Sequence, residues 1–267
     1  MPTALVLTVR PHEQATVAGF LGRASHAAFL TTLAERDAAL AEQLHSMDAV
    51  KPFAASDLLD LPVGRDSRSV QPDHVYRLRW CGLSPEVDAH LQALVTTPPT
   101  TVTLDDVPFT VEQATADPAR DPWARIVTWP ELLALDQIGR EAPPSRFMVQ
   151  FVAPTTFRSS GRNVPLPLPE LVFGSLLDRW NAVAPLPLPS EVRRFAGECL
   201  ALGRYRLEST SVAAFGGRET AFTGRCTYIA TNRDRYFLHC CAALLRFAFF
   251  SGVGAKASMG FGLMRWE

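Results

Sequence analysis

Long apolar runs are missing from this chain. The longest, residues 237–250, is interrupted by His239 and Arg246, and it falls short of the roughly 18 residues a membrane-spanning helix needs. The apolar start, residues 1–10, has no basic leader and no small-residue cleavage site, so it reads as a strand and not as an export signal. A cytoplasmic protein with no membrane partner is the expectation. Cysteine is scarce: Cys81, Cys199, Cys226, Cys240 and Cys241 are odd in number and lack a CxxC pair. That excludes an encoded disulfide framework and a zinc knuckle, and points to buried thiols in a reducing compartment. His239 beside Cys240 and Cys241 makes no ligand set, because helical neighbours face different ways. No metal and no cofactor is expected. Lysine is nearly absent, with Lys51 and Lys256 the two exceptions among 26 basic residues.

What is present describes a globular protein of 267 residues, 47% hydrophobic and 20% charged, long enough for two domains with a core each. The net charge of −1 hides an asymmetry. Residues 1–140 hold 11 Lys and Arg against 18 Asp and Glu, and residues 141–267 hold 15 against 9. The second half is the part suited to a polyanion.

Apolar periodicity predicts a strand at 5–10, a long helix at 25–44, a hairpin of strands at 51–59 and 75–83, a helix from Ser84-Pro85-Glu86, and a strand at 102–112. Asp105-Asp106 reads as a turn. The linker is placed at 139–145, where two prolines and small polar residues resist both helix and ladder. The order then repeats: strand 147–153, helix 169–181, strands 201–209 and 220–230, helix 232–250, strand 261–266. Two β-α-β-β-α-β units predict an α+β, tandem ferredoxin-like fold, with domains at 1–140 and 141–267. This superfold hosts many activities, so the sites must decide.

The densest motif is Ser251-Gly-Val-Gly-Ala-Lys-Ala-Ser-Met-Gly-Phe-Gly262. Gly252, Gly254, Gly260 and Gly262 permit backbone N–H groups to converge on an anion, beside Lys256 and Ser258. The helix-to-strand order and the separated Lys256 and Ser258 exclude a P-loop and a dinucleotide fingerprint. The loop and Phe261-Gly-Leu-Met-Arg-Trp266 resemble the C-terminal signature of the RAMP superfamily of CRISPR-associated RNA-binding proteins. The nearest form is the pre-crRNA-processing endoribonucleases, the sixth numbered Cas family. Leu44-His45 through Lys51-Pro-Phe53 and Ser56, Phe151 to Phe157, and Phe173 to Pro185 extend the resemblance. It implies a RAMP-type tandem fold, binding of CRISPR repeat RNA (pre-crRNA), and cleavage by the RNA's own 2′-hydroxyl, leaving a 2′,3′-cyclic phosphate and a 5′-hydroxyl. An interference-complex subunit and a homodimer are the further partners it allows.

With that resemblance, His45 is the candidate proton-transfer group, since histidine titrates near neutral pH. Lys51, six residues on, is the candidate for stabilising phosphorane charge. Many relatives place a catalytic tyrosine in the first helix, where this chain has Phe29 and Leu30; His26 is the candidate substitute, with Ser25 beside it, although both also suit a helix cap or surface. For binding, Arg158 and Arg162 follow the first strand of the second unit. Arg204, Arg206, Arg218, Arg225, Arg233 and Arg235 cluster around its hairpin and last helix, where alternate strand residues share a face. The rival readings are a non-catalytic guide-RNA scaffold of the same superfamily and, further off, a small-ligand sensor. A metal-dependent nuclease lacks carboxylates clustered at ligand spacing.

Overall fold

The computed structural model describes residues 1–134, 141–214 and 216–267. Its first unit comprises Met1–Ile126 with Ser211–Glu219 and Ser258–Gly260; its second comprises Val127–Thr210 with Thr220–Ala257 and Phe261–Glu267. The predicted linker begins in residues 139 and 140, which lie outside the described residues.

In the first unit the chain runs β1 (Thr3–Pro11), β2 (Ala15–Ala18), α1 (Gly22–Ala34), α2 (Ala38–Ser46), β3 (Phe53–Ala55), β4 (Ser67–Val70), β5 (Tyr76–Gly82), α3 (Pro85–Thr96), β6 (Thr101–Leu104), β7 (Val107–Thr115) and β8 (Arg125–Ile126). The main sheet has the order β3-β5-β1-β7-β6, with every neighbouring pair antiparallel and β8 on the start of β1. As the central strand, β1 is buried along most of its length, and Leu5, Leu7 and Val9 enter the core. Phe29 of α1 packs there against Phe53 at 4.4 Å and Trp80 at 5.7 Å between ring centroids. Truncating any of these rings to alanine costs about 3–5 kcal/mol.

Expectations about this unit's helices and strands need correction. The helix expected at 25–44 is two helices, because Asp37 leaves helical geometry and its side chain accepts the Leu40 N–H at 2.9 Å, capping α2. The strand expected at 102–112 is the β6–β7 hairpin, turning through Asp105 and Asp106 at φ 53° and 63°. The long loop of the 51–83 hairpin carries β4, which pairs with β2 outside the main sheet. The predicted helix start at Ser84 is present, its side chain accepting the Val87 N–H.

The second unit continues with α4 (Trp129–Leu133), β9 (Arg146–Thr155), β10 (Phe157–Ser159), β11 (Arg162–Val164), α5 (Pro169–Val183), α6 (Glu191–Cys199), β12 (Leu200–Ala214), β13 (Gly217–Ala230), α7 (Arg235–Ser251) and β14 (Met264–Trp266). Its sheet order is β12-β13-β9-β14. Numbering only the four core strands of each unit, both sheets have the order 2-3-1-4, the ferredoxin-like arrangement, so the fold is tandem ferredoxin-like. Trp129 of α4 packs on Trp180 at 5.3 Å and Phe247 at 5.9 Å, joining α4 to α5 and α7. Sequence reading missed α6, a short helix that buries only Val192, Phe195 and Ala196. The last strand is shorter than expected because Gly262 and Leu263 bond individually to Pro154, Val152 and Ala153 before regular pairing begins at Met264.

Candidate functional site

The first unit places His26 by a chain of close approaches. Helix α1 begins at Gly22, where an added Cβ would meet the Met259 carbonyl oxygen at 2.2 Å. Only glycine lets the turn Ser258–Gly260 lie so close, and Gly260, at φ 88°, bridges to Ser56 from the other side. One helical turn after Gly22, His26 meets the same turn: its Nδ1 lies 2.8 Å from the Ser258 carbonyl oxygen. A carbonyl can only accept, so Nδ1 carries the hydrogen and the neutral ring keeps its lone pair on Nε2. Phe53 packs 5.2 Å from the imidazole. Burial lowers the His26 pKa; the Ser258 bond opposes this, and the positive charges of Lys51, His45 and Arg23 add to the lowering. The neutral, base-competent ring is therefore the form favoured at neutral pH. The expectation of a cap or surface position is corrected: Ser25 and His26 are both buried, and Ser25 Oγ accepts the Trp80 indole N–H at 3.1 Å.

His45 lies in the exposed last turn of α2. Lys51 folds back on that helix end, its ammonium donating to the carbonyl oxygens of Leu44, of His45 at 3.1 Å and of Met47 at 3.0 Å. It thus satisfies carbonyls that a helix C-terminus leaves without intrahelical donors. Partial burial lowers its pKa, against the pull of Asp48. The expected strand from residue 51 starts only at Phe53, since Lys51 serves the helix end. Sequence reasoning missed Asp57, which supports the start of α1. Its Oδ1 accepts the Leu21 N–H at 3.2 Å and the Leu58 N–H at 2.7 Å, and it pairs with buried Arg68. Nothing in the local pattern around Asp57 signals a contact with Leu21.

In the second unit the Gly-rich segment is a closed clasp. Gly252 N donates to Ala248 O, Val253 N to Gly262 O, Gly254 N to Ser175 Oγ, Ala255 N to Thr156 O, Phe261 N to Lys256 O and Gly262 N to Pro154 O. For Gly252, Gly254 and Gly262 the expected convergence of N–H groups on an anion is therefore corrected, because the chain itself satisfies them. The glycines serve close packing: a Cβ would stand 1.9 Å from Val253 O at Gly262 and 2.4 Å from Thr156 O at Gly254. Lys256 adopts φ 60° within the clasp, and Ser258 belongs to the turn that holds His26.

The arginines divide. Arg204 and Arg206 are exposed on β12, alternate residues as expected, with exposed Tyr205 between them. Arg158 and Arg162 are exposed on the β10–β11 hairpin; the pairing of Arg158 with Asn163 and of Ser159 with Arg162 puts them on opposite faces. Arg225 pairs with Glu267 at 3.3 Å, Arg235 donates to the Glu141 carbonyl at 3.0 Å, and Arg233 is exposed ahead of α7. Arg218 is tied to Asp66 and Ser211. Among the described residues, no group of three His, Cys, Asp or Glu is placed to hold a metal ion, and no helix is long and apolar enough to cross a membrane.

Comparison with known proteins agrees with this architecture. The family model described as CRISPR-associated endoribonuclease Cas6 matches residues 149–264, and that of the CRISPR Cas6 N-terminal domain matches residues 1–80. The Cas6 endoribonuclease of Mycobacterium tuberculosis is 39% identical over 122 residues, which span 45% of this chain and 38% of that relative. The Streptococcus thermophilus relative is 27% identical over 135 residues, 50% of this chain and 55% of its own. A Cas6 product complex superimposes with a TM-score of 0.83 at 29% identity, covering 100% of this chain and 99% of that one. Thermus thermophilus Cas6 gives 0.76 at 26% identity, with 100% and 98% covered. An RAMP protein binding different RNA substrates shares the fold, at a TM-score of 0.63, 12% identity and 99% coverage of both chains. With one family's models matched in both halves and Cas6 structures matched along its whole length, the chain belongs to the CRISPR-associated Cas6 family.

Proposed function

We propose that this chain is an endoribonuclease that cuts pre-crRNA within its CRISPR repeats, without a metal ion, by attack of the RNA's own 2′-hydroxyl. Nε2 of His26 takes the 2′-hydroxyl proton, and the 2′-oxygen forms a bond to phosphorus. The bond from phosphorus to the 5′-oxygen then breaks, and His45 supplies the hydrogen that completes the 5′-hydroxyl. The products are a 2′,3′-cyclic phosphate and a 5′-hydroxyl. Lys51 stabilises the extra negative charge of the phosphorane, its ammonium acting where charge develops.

The observation that carries this reading is the bond from His26 Nδ1 to the Ser258 carbonyl, which leaves the lone pair of the neutral ring on Nε2. Its family resemblance supplies the substrate: the relatives are CRISPR-associated endoribonucleases. The test uses the purified protein in EDTA, with its repeat RNA and a copy bearing one 2′-deoxy nucleotide at the cut site. Cleavage of the first alone is expected; cleavage of both, or a requirement for added metal, rejects the mechanism. One feature favours a binding scaffold as the second reading: the Lys51 ammonium already serves three carbonyls at the end of α2. Tight binding with neither RNA cut identifies that case.

A further inference from the structure

The clasp occupies the N–H groups of Gly252, Val253, Gly254 and Ala255, so an anion beside Gly254 would be held by side chains. Helix α5 presents Ser175 and Arg179, four residues apart and so on one face, to Gly254. The serine hydroxyl accepts the Gly254 N–H at 2.7 Å, and Arg179 Nη2 donates to the Gly254 carbonyl at 3.1 Å. A neutral donor would serve that carbonyl equally well. The residue is instead a part-buried guanidinium, and among the described residues no carboxylate pairs with it. Burial alone lowers its pKa, to about 10.

A guanidinium partly withdrawn from water and bonded to one carbonyl keeps further N–H donors open, and an anion is the partner that best offsets its partial desolvation. The setting is cationic. Gly254 packs against Thr156 and Phe157, so Arg158 follows directly on that contact, and Lys256 lies two residues beyond Gly254. Resting on the reading of the protein as a repeat-RNA binder, we propose that Arg179 holds a backbone phosphate of the RNA at the outside of the Gly-rich clasp. Arginine's planar fork can keep one N–H on Gly254 while others meet the phosphate oxygens.

The experiment measures binding of uncleavable 2′-deoxy repeat RNA, between about 50 and 200 mM salt, to the wild type and to Arg179→Met, Arg179→Lys and Ser175→Ala. Arg179→Met is expected to weaken binding by about tenfold, the effect of losing one charged hydrogen bond. The slope of log affinity against log salt should fall by about one. Arg179→Lys keeps the slope, and so does Ser175→Ala, which loosens the clasp without touching charge. An unchanged slope for Arg179→Met overturns the proposal and leaves Arg179 as a clamp on Gly254. Arg179→Gln replaces the methionine variant if that protein does not fold. Should the wild type fail to bind repeat RNA, the functional reading fails separately, and the site is read with inorganic pyrophosphate by thermal shift. A stabilisation lost in Arg179→Met sustains the anion site; equal stabilisation of both proteins removes it.

Discussion

At the scale of single residues, the two histidines of the first unit differ in what surrounds them. His45 is exposed on a helix end, whereas His26 is buried and oriented by Ser258. The direction of the His26 shift gives a pH signature. A base works in its neutral form, and burial with neighbouring positive charge keeps His26 neutral below the ordinary histidine value of about 6.5. The acid limb of the cleavage profile should therefore fall below that pH, and His26→Ala should slow cleavage by about a hundredfold or more. Rates of cleavage measured from acid to neutral pH check both points. An acid limb above the ordinary value, or a fully active alanine variant, removes His26 as the base. Folding carries the same sign: a depressed histidine pKa means that the unfolded chain binds more protons, so this contribution to stability shrinks as pH drops below about 6.5.

Among the elements, the Gly-rich clasp offers the clearest contrast. Gly161 and Gly262 have nearly equal φ, 73° and 72°, but a Cβ meets nothing within 4 Å at Gly161 and meets Val253 O at 1.9 Å at Gly262. Gly161→Ala should cost about 1 kcal/mol from its backbone conformation alone. Gly262→Ala should cost a further 1–3 kcal/mol, roughly, as the clasp is forced open. Urea midpoints of the two variants test this, and equal losses would show that close approach does not constrain the segment. The same clasp marks what the sequence could convey. Glycine density announced a close backbone approach; it could not say whether an anion or the chain itself comes near, because Pro154, Thr156, Ser175 and Ala248 lie elsewhere in the sequence. The order of the four core strands and two main helices of each unit was readable from periodicity and from Ser84. The start of α1 was not, since its N-cap Leu21 has no side-chain cap and its N–H is met by Asp57, 36 positions away. His26 was consequently read as a helix-start residue when it is a buried member of the second turn.

For the whole molecule, a net charge of −1 conceals which cations remain available to RNA. Many arginines already face carboxylates: Arg10 with Glu112, Arg68 with Asp57, Arg77 with Asp60 and Asp121, Arg193 with Asp178, and Arg218 with Asp66. Arg204 and Arg206 are exposed on adjacent alternate positions of β12, and neither forms an ion pair among the described residues. Counterion release follows the phosphates newly neutralised, so residues already paired add little to the salt dependence of binding. Changing Arg204 and Arg206 together to alanine should lower the slope of log affinity against log salt by about two and weaken binding of every RNA tested by a similar factor. Arg218→Ala, which removes the same type of charge from a position tied to Asp66 and Ser211, should leave that slope unchanged while lowering stability. Filter binding across a salt series separates the two variants. A common slope for both would mean that the second half attracts RNA through its diffuse charge and not through the strand β12, because only placement distinguishes these arginines.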